Sequence, residues 1–234
     1  MQTKKAIDKK LIKKAFLATI PVMAGYLVLG MGFGIILKTK GYGFIWSLLM
    51  SGLIYAGSMQ YLAVDLIAGG AGLITAAITT LMVNARHLFY SISMVEKYKG
   101  AGKKKPYMIF ALTDETYSLV CKDDVPDGEE GKLYCFLVSV FDQIYWISGS
   151  LLGSLLGSVL KINTAGIDFA LTALFVTVFT DQWLNTKDHK PALIGVAASV
   201  VCLLIFGADS FLIPSMILIT VALTLCRKYI KEGQ

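Results

Sequence analysis

The sequence predicts an all-α polytopic membrane protein with about seven spans, a short broken or re-entrant element, and an internal repeat. Of the 234 residues, 56% are hydrophobic and only 16% are charged, whereas ordinary soluble domains carry about 25% charged residues. The charges are also unevenly placed, because Asp65 is the only charged residue between positions 41 and 85. A spanning helix needs about 20 mostly apolar residues, so this block alone is long enough for two spans.

Seven apolar segments are the candidate spans, and one further stretch differs from them. We expect the spans at about 15–37, 43–68, 71–95, 134–160, 167–184, 191–206 and 209–226. Residues 107–120 would reach only about 21 Å as a helix, whereas the hydrocarbon core is about 30 Å thick. Because Asp114 and Glu115 lie in the middle of 106–120, we expect a re-entrant, broken or protein-buried element there, within a single membrane domain over 1–234.

The net charge of +6 comes from basic residues beside the apolar segments. The clusters are Lys4, Lys5, Lys9, Lys10, Lys13 and Lys14, then five lysines between positions 97 and 105, then Arg227, Lys228 and Lys231. Such clusters mark the cytoplasmic ends of spans. No nucleic-acid motif accompanies them, so we expect a lipid bilayer and not nucleic acid as the partner of these charges.

The basic loop at 97–105 raises a conflict over topology. Three spans over 15–95 would place this loop on the side opposite to the N-terminal lysines, against the rule for positive charges. Either the loop violates the rule, or one of the three segments is a half-membrane hairpin. We favour a broken element, because irregular backbone at membrane depth is tolerated where it is buried in protein or lines a cavity.

A weak internal repeat relates the two halves of the chain. The stretches "SMQYL" (58–62) and "TDQWL" (180–184) align at an offset of 122 residues, and each follows a glycine-rich segment at a similar distance. The repeat halves would be about 15–95 and 137–226. Repeats of this kind are common in secondary transporters, with the substrate at the repeat interface, although apolar sequence of low complexity also aligns with itself easily.

Glycines recur every four residues in two of the expected spans. They are Gly30 and Gly34 in "GMGFG", and Gly149, Gly153 and Gly157 later in the chain. Small residues at this spacing form a smooth strip on which two helix backbones approach closely in lipid. Alternatively, "GMGFG" with Pro21 marks a helix that unwinds and holds a substrate with its free backbone groups. The candidate substrate-binding residues on that interpretation are Gly30, Gly32, Phe33 and Gly34.

The stretch "TTLMVNARHLFYS" (79–91) places polar side chains inside one of the most apolar parts of the chain. An ionisable residue in a span is a candidate functional residue, because its desolvation costs several kcal/mol. Arg86 could bind a substrate carboxylate through its planar guanidinium, pair with an acid, or reach the membrane interface. We take Arg86 and Asn84 as candidate substrate-binding residues, and His87 as a weaker candidate for proton transfer.

Three acidic residues and one glutamine complete the candidate site. Asp114 and Glu115 lie in "LTDETYS" (112–118), and Asp142 lies in "SVFDQIYW" (139–146). Carboxyl groups at this depth are typical of proton relays, so all three are candidates for proton coupling, although pairing with Arg86 accounts for them equally well. Gln60 needs a hydrogen-bond partner in an apolar span, which is either another helix or the substrate.

Four stretches resemble the AzlC family, the large subunits of bacterial branched-chain amino acid exporters, also called the BrnF or YgaZ type. They are "PVMAGYLVLGMGFG" (21–34), "YAGSMQYLAV" (55–64), "TTLMVNARHLFYS" (79–91) and "FALTDETYS" (110–118), in the order and spacing of the family. The resemblance covers nearly all of the chain and is strongest from 15 to 120. The asparagine–arginine–histidine and aspartate–glutamate blocks are its specific parts, whereas the long acidic loop at 121–133 departs from the family.

The resemblance implies a multi-pass protein of the bacterial inner membrane that exports hydrophobic amino acids such as valine, leucine, isoleucine and methionine. It also implies a small AzlD-type partner subunit and driving by the proton-motive force. The rival interpretation is a passive channel or a structural subunit of a membrane complex. The sequence has no nucleophile–base pair, metal-ligand spacing or phosphate-binding loop, so we expect no enzyme, no metal and no cofactor.

Overall fold

The computed structural model describes residues 9–84, 86–121, 125–159, 169, 176, 179–180, 183–184, 186, 188–207 and 211–226. The helices are α1 (Lys9–Thr39), α2 (Phe44–Leu49), a π-helical turn (Met50–Ile54), α3 (Gly57–Ala68), α4 (Leu73–Asn84), α5 (Arg86–Met94), a 3₁₀ turn (Gly102–Lys104), α6 (Lys105–Phe110), α7 (Asp114–Val120), α8 (Gly128–Val159), α9 (Lys190–Phe206) and α10 (Leu212–Leu225). Every regular element in these ranges is helical, which confirms the all-α prediction for the part of the chain described. By its contacts the chain forms two units, Met1–Ala170 and Leu171–Gln234.

The first unit is built on α1 and α8, which pack against each other in parallel. The Thr19 and Tyr145 hydroxyls are 3.1 Å apart near the start of the seam, and Gly157 lies against Ile35 and Lys38 near its end. Both helices are long and apolar enough to cross a membrane. The expected number of about seven spans stays a prediction.

Glycine makes the close approach of α1 and α8 feasible. A methyl group on Gly34 would meet the backbone of Ser150, Gly153 and Ser154, and one on Gly153 would meet the backbone of Met31. The packing interpretation of the glycine spacing is therefore confirmed. The alternative of an unwound helix at 30–34 is wrong in this structure, because α1 is continuous from Lys9 to Thr39 through Pro21.

The segment 43–68 is a broken hairpin and not one continuous helix. The Ser47 hydroxyl donates to the carbonyl of Ser150, whereas Gln143 donates its side-chain amide to the carbonyl of Gly52. These two contacts on α8 lie seven residues apart, so α2 and the π-helical turn descend by about 10 Å towards the N-terminal end of α8. The chain reverses at Tyr55, and α3 returns to the C-terminal end of α1, where Asp65 pairs with Lys40 at 3.4 Å.

A second hairpin, formed by α6 and α7, enters from the opposite end. Met108 of α6 and Val120 of α7 both lie in a buried cluster with Leu11 of α1 and Tyr134 of α8, at the N-terminal end of the helix pair. Between α6 and α7 the helix is interrupted at 111–113. The prediction of a broken element at 106–120 is therefore confirmed, and the chain enters and leaves it at the same end.

The basic loop at 97–105 lies at the same end as the N-terminal lysines. Tyr98 and Ala101 of this loop pack in the buried cluster that contains Leu11 and Ala15 of α1 and Met94 at the end of α5. The hairpin at 43–68 begins and ends near the C-terminal end of α1. This geometry supports the favoured interpretation that one of the three segments is a half-membrane hairpin, and the topology stays a prediction.

This arrangement predicts that positions 42 and 103 lie on opposite sides of the membrane. In a variant without its native cysteines, Tyr42→Cys is expected to react with a membrane-impermeant thiol reagent in intact cells. Lys103→Cys is expected to react only after permeabilisation, since its loop lies with the basic N-terminus on the cytoplasmic side. Equal labelling of both positions in intact cells would contradict the hairpin topology, and equal labelling after denaturation is the control.

In the second unit, α9 and α10 pack against each other, and they correspond to the expected segments 191–206 and 209–226. The expected segment 167–184 lies mostly outside the described residues, and so does most of "TDQWL" at 180–184. The internal repeat and its halves therefore stay predictions.

Candidate functional site

The two hairpins bring their tips together beside α1 and α8. The rings of Tyr55 and Phe110 lie 6.2 Å apart, centroid to centroid, one from each hairpin. Tyr55 has a left-handed backbone with φ 46° and ψ 45°, which a bulky residue rarely adopts and which often accompanies functional sites.

Arg86 at the start of α5 contacts both hairpins. Its Nη1 atom lies 2.7 Å from Oδ2 of Asp114 on α7, and its Nη2 atom donates a 2.6 Å hydrogen bond to the Ser58 hydroxyl on α3. The Arg86 side chain is 32% exposed and that of Asp114 is 30% exposed. The structure thus confirms pairing of Arg86 with an acid, and the pair remains partly exposed.

Asn84 and His87 flank Arg86 at the junction of α4 and α5. A nitrogen of the His87 ring lies 3.1 Å from the carbonyl oxygen of Asn84, so this contact is local to the junction. The side-chain oxygen of Asn84 is buried without a hydrogen-bond partner among the described residues. Asn84 therefore keeps an acceptor available beside the ion pair.

A chain of hydrogen bonds joins α1, α7 and α8 next to this pair. The Tyr26 hydroxyl donates to Glu115 at 2.7 Å and lies 2.7 Å from the Thr113 hydroxyl. Thr113 also caps α7 by accepting from the backbone of Thr116, and the Thr116 hydroxyl donates to Oδ2 of Asp142 at 2.7 Å. Two of the three predicted proton-coupling residues, Glu115 and Asp142, thus belong to one network.

Asp142 is completely buried in α8. Its Oδ1 atom has no hydrogen-bond partner in the described structure, and none of the ion pairs formed by described residues includes it. A buried carboxyl group without a full set of partners is costly. Such a group is a candidate for binding a proton or a cationic ligand.

Gln60 lies on the other side of the same region and is also completely buried. Its side-chain oxygen accepts a 2.9 Å hydrogen bond from the indole of Trp146, while its Nε2 atom has no partner in the described residues. The Trp146 ring stacks with Phe33 at 6.3 Å and meets Tyr26 edge-on at 5.4 Å. Gln60 therefore offers an unused donor within an aromatic cluster.

The structure separates the predicted site residues into three groups. Gln60 and Phe33 surround Trp146; Glu115 and Asp142 form the hydrogen-bonded network; Arg86, Asp114 and Asn84 lie together at the α4–α5 junction. Gly30 and Gly34 pack against α8, and Gly32 is buried within α1. A role of these glycines in binding substrate stays a prediction.

Several residues of the site were missed from the sequence. They are Tyr26, Tyr55, Ser58, Thr113, Thr116 and Trp146. Only Thr113 carried a usable signal, because a threonine followed by two acidic residues is typical of a helix N-terminus. The others have no local pattern that distinguishes them from ordinary residues of an apolar helix.

The fold is helical, with long apolar helices and with polar groups buried around two broken hairpins. These features are those of a multi-pass membrane protein. The chain belongs to the AzlC family, because the family model described as "AzlC protein" matches residues 21–160. No solved structure matches it. Localisation in a bacterial cell membrane follows from this membership and from the membrane proteins described next.

Curated relatives cover nearly the whole chain. The chain is 42% identical over 95% of its length to the branched-chain amino acid transport protein AzlC of Bacillus subtilis, of which the match covers 87%. It is 40% identical over 95% of its length to a membrane protein of Helicobacter pylori, covering 97% of that protein. It is 26% identical over 86% of its length to the inner membrane protein YgaZ of Escherichia coli, covering 82%.

Proposed function

We propose that this protein is a secondary transporter that exports branched-chain or other hydrophobic amino acids across the bacterial inner membrane. The proton-motive force drives export, and a small AzlD-type membrane subunit assists it. The name of the Bacillus subtilis relative supports the substrate class. The direction, the driving force and the partner subunit rest on the resemblance to the family.

The observation that carries the proposal is the group of polar atoms at the hairpin tips. In an apolar bundle, Asp142 and Gln60 each keep one buried polar atom without a partner among the described residues. Arg86 and Asp114 form a pair whose side chains are partly exposed. Such arrangements at broken helical elements suit a site that alternately binds and releases a small polar group.

Arg86 is the proposed ligand for the substrate carboxylate. In the absence of substrate its guanidinium is held by Asp114, which keeps the positive charge paired at membrane depth. A substrate carboxylate would compete with Asp114 for the planar donors of the guanidinium. Binding would then release Asp114 from the guanidinium.

The sign of proton movement follows from the direction of export. Under the proton-motive force a proton enters as an amino acid leaves, so export acidifies the cytoplasm. In vesicles of matching orientation, a pH dye enclosed on the cytoplasmic side is expected to report acidification when amino acid is exported. Alkalinisation of that compartment would contradict this coupling.

Uphill efflux of labelled leucine is the direct test of the proposed function. Cells that express this chain with its proposed small partner are expected to lower internal leucine below the external concentration, and an uncoupler is expected to stop this. A passive channel would instead continue to carry leucine down its gradient in the presence of the uncoupler. Cells that lack this chain are the control, and equal efflux from them would refute the proposal.

A further inference from the structure

We propose that the Asp142 carboxylate binds the ammonium group of the transported amino acid, and that a proton and the substrate compete for this one carboxylate. The inference rests on the proposed function, since it takes an amino acid as the ligand. It goes further, because it assigns to one side chain both the recognition of the amine and the exchange of amino acid for a proton.

The first argument is the state of Asp142 in the structure. The carboxylate is completely buried, and only its Oδ2 atom is satisfied, by the Thr116 hydroxyl. Its Oδ1 atom has no partner in the described residues. A proton or an ammonium group would each satisfy Oδ1, whereas an apolar ligand would not.

The second argument is the complementary donor beside it. Asp142 and Trp146 are four residues apart on α8 and therefore share a face. The indole of Trp146 holds the oxygen of Gln60, which leaves the Gln60 Nε2 atom without a partner among the residues described. The residue that holds Gln60 thus lies one helical turn from Asp142 on α8, and the Gln60 amide is a further donor besides Arg86, the proposed ligand of the substrate carboxylate.

The surroundings of Trp146 are suited to an apolar side chain. Phe33 and Tyr26 lie around its ring at 6.3 Å and 5.4 Å. The two unpartnered atoms are closed from solvent in this structure, so a ligand reaches them only when the hairpin tips move apart. Each tip ends a short helical segment: α2 with its π-helical turn (Phe44–Ile54) at the first tip, and α6 (Lys105–Phe110) at the second.

Other titratable groups lie near Asp142, and one of them is a carboxyl group. From the described residues these are Glu115 of α7, Tyr26 of α1, Tyr55 at the first hairpin tip and Tyr107 of α6. The tyrosines are neutral at physiological pH, and Glu115 already accepts a hydrogen bond from Tyr26. Glu115 is therefore the one alternative carboxylate, and the test must distinguish it from Asp142.

The exchange conserves charge and protons. When substrate binds, the O–H bond of protonated Asp142 breaks, the proton leaves to solvent, and the carboxylate accepts N–H bonds from the substrate ammonium. When the substrate leaves, a proton returns to the same oxygen. The carboxylate is therefore never left without a partner, which would be costly in a buried site.

The test measures leucine binding to the unaltered full-length chain in detergent, with proton release followed by a pH dye in weak buffer. Below the midpoint of the exchange, we expect about one proton released per leucine bound and a fall in apparent affinity of about tenfold for each pH unit. N-acetyl-leucine, which has no ammonium group, is expected to release none. Leucine binding without proton release, or with the same affinity from pH 6 to pH 8, would overturn the proposal.

Variants assign the proton to a residue. Asp142→Asn is expected to weaken leucine binding by about 30-fold or more, whereas Glu115→Gln is expected to retain proton release. Asp65→Asn, which changes an exposed carboxylate paired with Lys40, is the matched control and is expected to behave like the unaltered chain. Unchanged binding and proton release in Asp142→Asn would assign the exchange to another group and refute the role of Asp142.

Failure of the two proposals would look different. Binding of leucine without linked proton release leaves amino acid transport intact and removes only the role of Asp142. Absence of leucine binding to the correctly assembled, unaltered chain would instead overturn the proposed function and this inference together. Because the proton measurement uses the unaltered chain, the inference stays testable even where Asp142→Asn does not assemble.

Discussion

Gly34→Ala is expected to destabilise the first unit strongly. A methyl group at this position would meet the backbone of Ser150, Gly153 and Ser154, and backbone atoms of two packed helices cannot move aside cheaply. Overpacking typically costs about 1–3 kcal/mol, and we expect the upper end of that range. The apparent Tm in detergent, measured by size-exclusion chromatography after heating, should fall by about 10 °C.

Gly25→Ala is the matched control for this substitution. Gly25 lies in the same helix, and a methyl group added there would have no neighbour within 4 Å. Alanine also has the higher helix propensity, so the Tm is expected to stay the same or rise. Equal effects of Gly34→Ala and Gly25→Ala would show that helix propensity, and not the close approach of α1 to α8, determines the result.

Arg86→Gln and Asp114→Asn are each expected to destabilise the protein and to reduce leucine efflux more than tenfold. Each variant leaves one charge of the 2.7 Å pair without its partner. Breaking a fully buried pair costs about 3–5 kcal/mol, and about one third of each side chain is exposed here, so we expect about 1–3 kcal/mol. The measurements are the apparent Tm in detergent and the rate of leucine efflux.

The double variant separates pairing from substrate binding. Arg86→Gln with Asp114→Asn is expected to recover part of the stability, because neither charge is then left alone. It is not expected to recover efflux, because the proposed carboxylate ligand is absent. Recovery of efflux would limit Arg86 to a structural role, and normal efflux by Arg86→Gln would refute both roles.

The exposed pair of Lys40 and Asp65 is the matched control for this cycle. Its partners lie 3.4 Å apart, with side chains that are 43% and 69% exposed. Exposed pairs typically contribute less than about 1 kcal/mol, so Lys40→Gln and Asp65→Asn are expected to leave the Tm nearly unchanged. A large effect of these variants would show that any loss of charge, and not loss of the Arg86 pair, destabilises the chain.

Local pattern predicted much of the fold. The glycine spacing indicated helix packing, and the α1–α8 seam confirms it. The short length and internal acids of 106–120 indicated a broken element, and the interruption at 111–113 confirms it. The break at Tyr55 was not predicted, because "SGLIYAGSMQ" has no proline and its glycines lie on either side of the residue that turns.

The candidate site was predicted as a set of residues but not as an arrangement. Arg86, Asp114 and Asp142 stand out in sequence because charge is rare in apolar segments. The sequence alone could not distinguish two interpretations of Arg86, as a ligand of the substrate or as the partner of an acid. The contact with Asp114 shows the pairing, and binding of substrate stays a proposal.

The sequence by itself determined that this protein is an all-α membrane protein of the AzlC family, because hydropathy, charge placement and family motifs are read along the chain. Only the tertiary structure decided which polar groups are satisfied. Thr116 reaches Asp142 across 26 residues, and Trp146 reaches Gln60 across 86. Whether a buried polar group finds a hydrogen-bond partner depends on such distant contacts, which local sequence does not specify. In this structure one atom of Asp142 and one of Gln60 have no partner among the described residues.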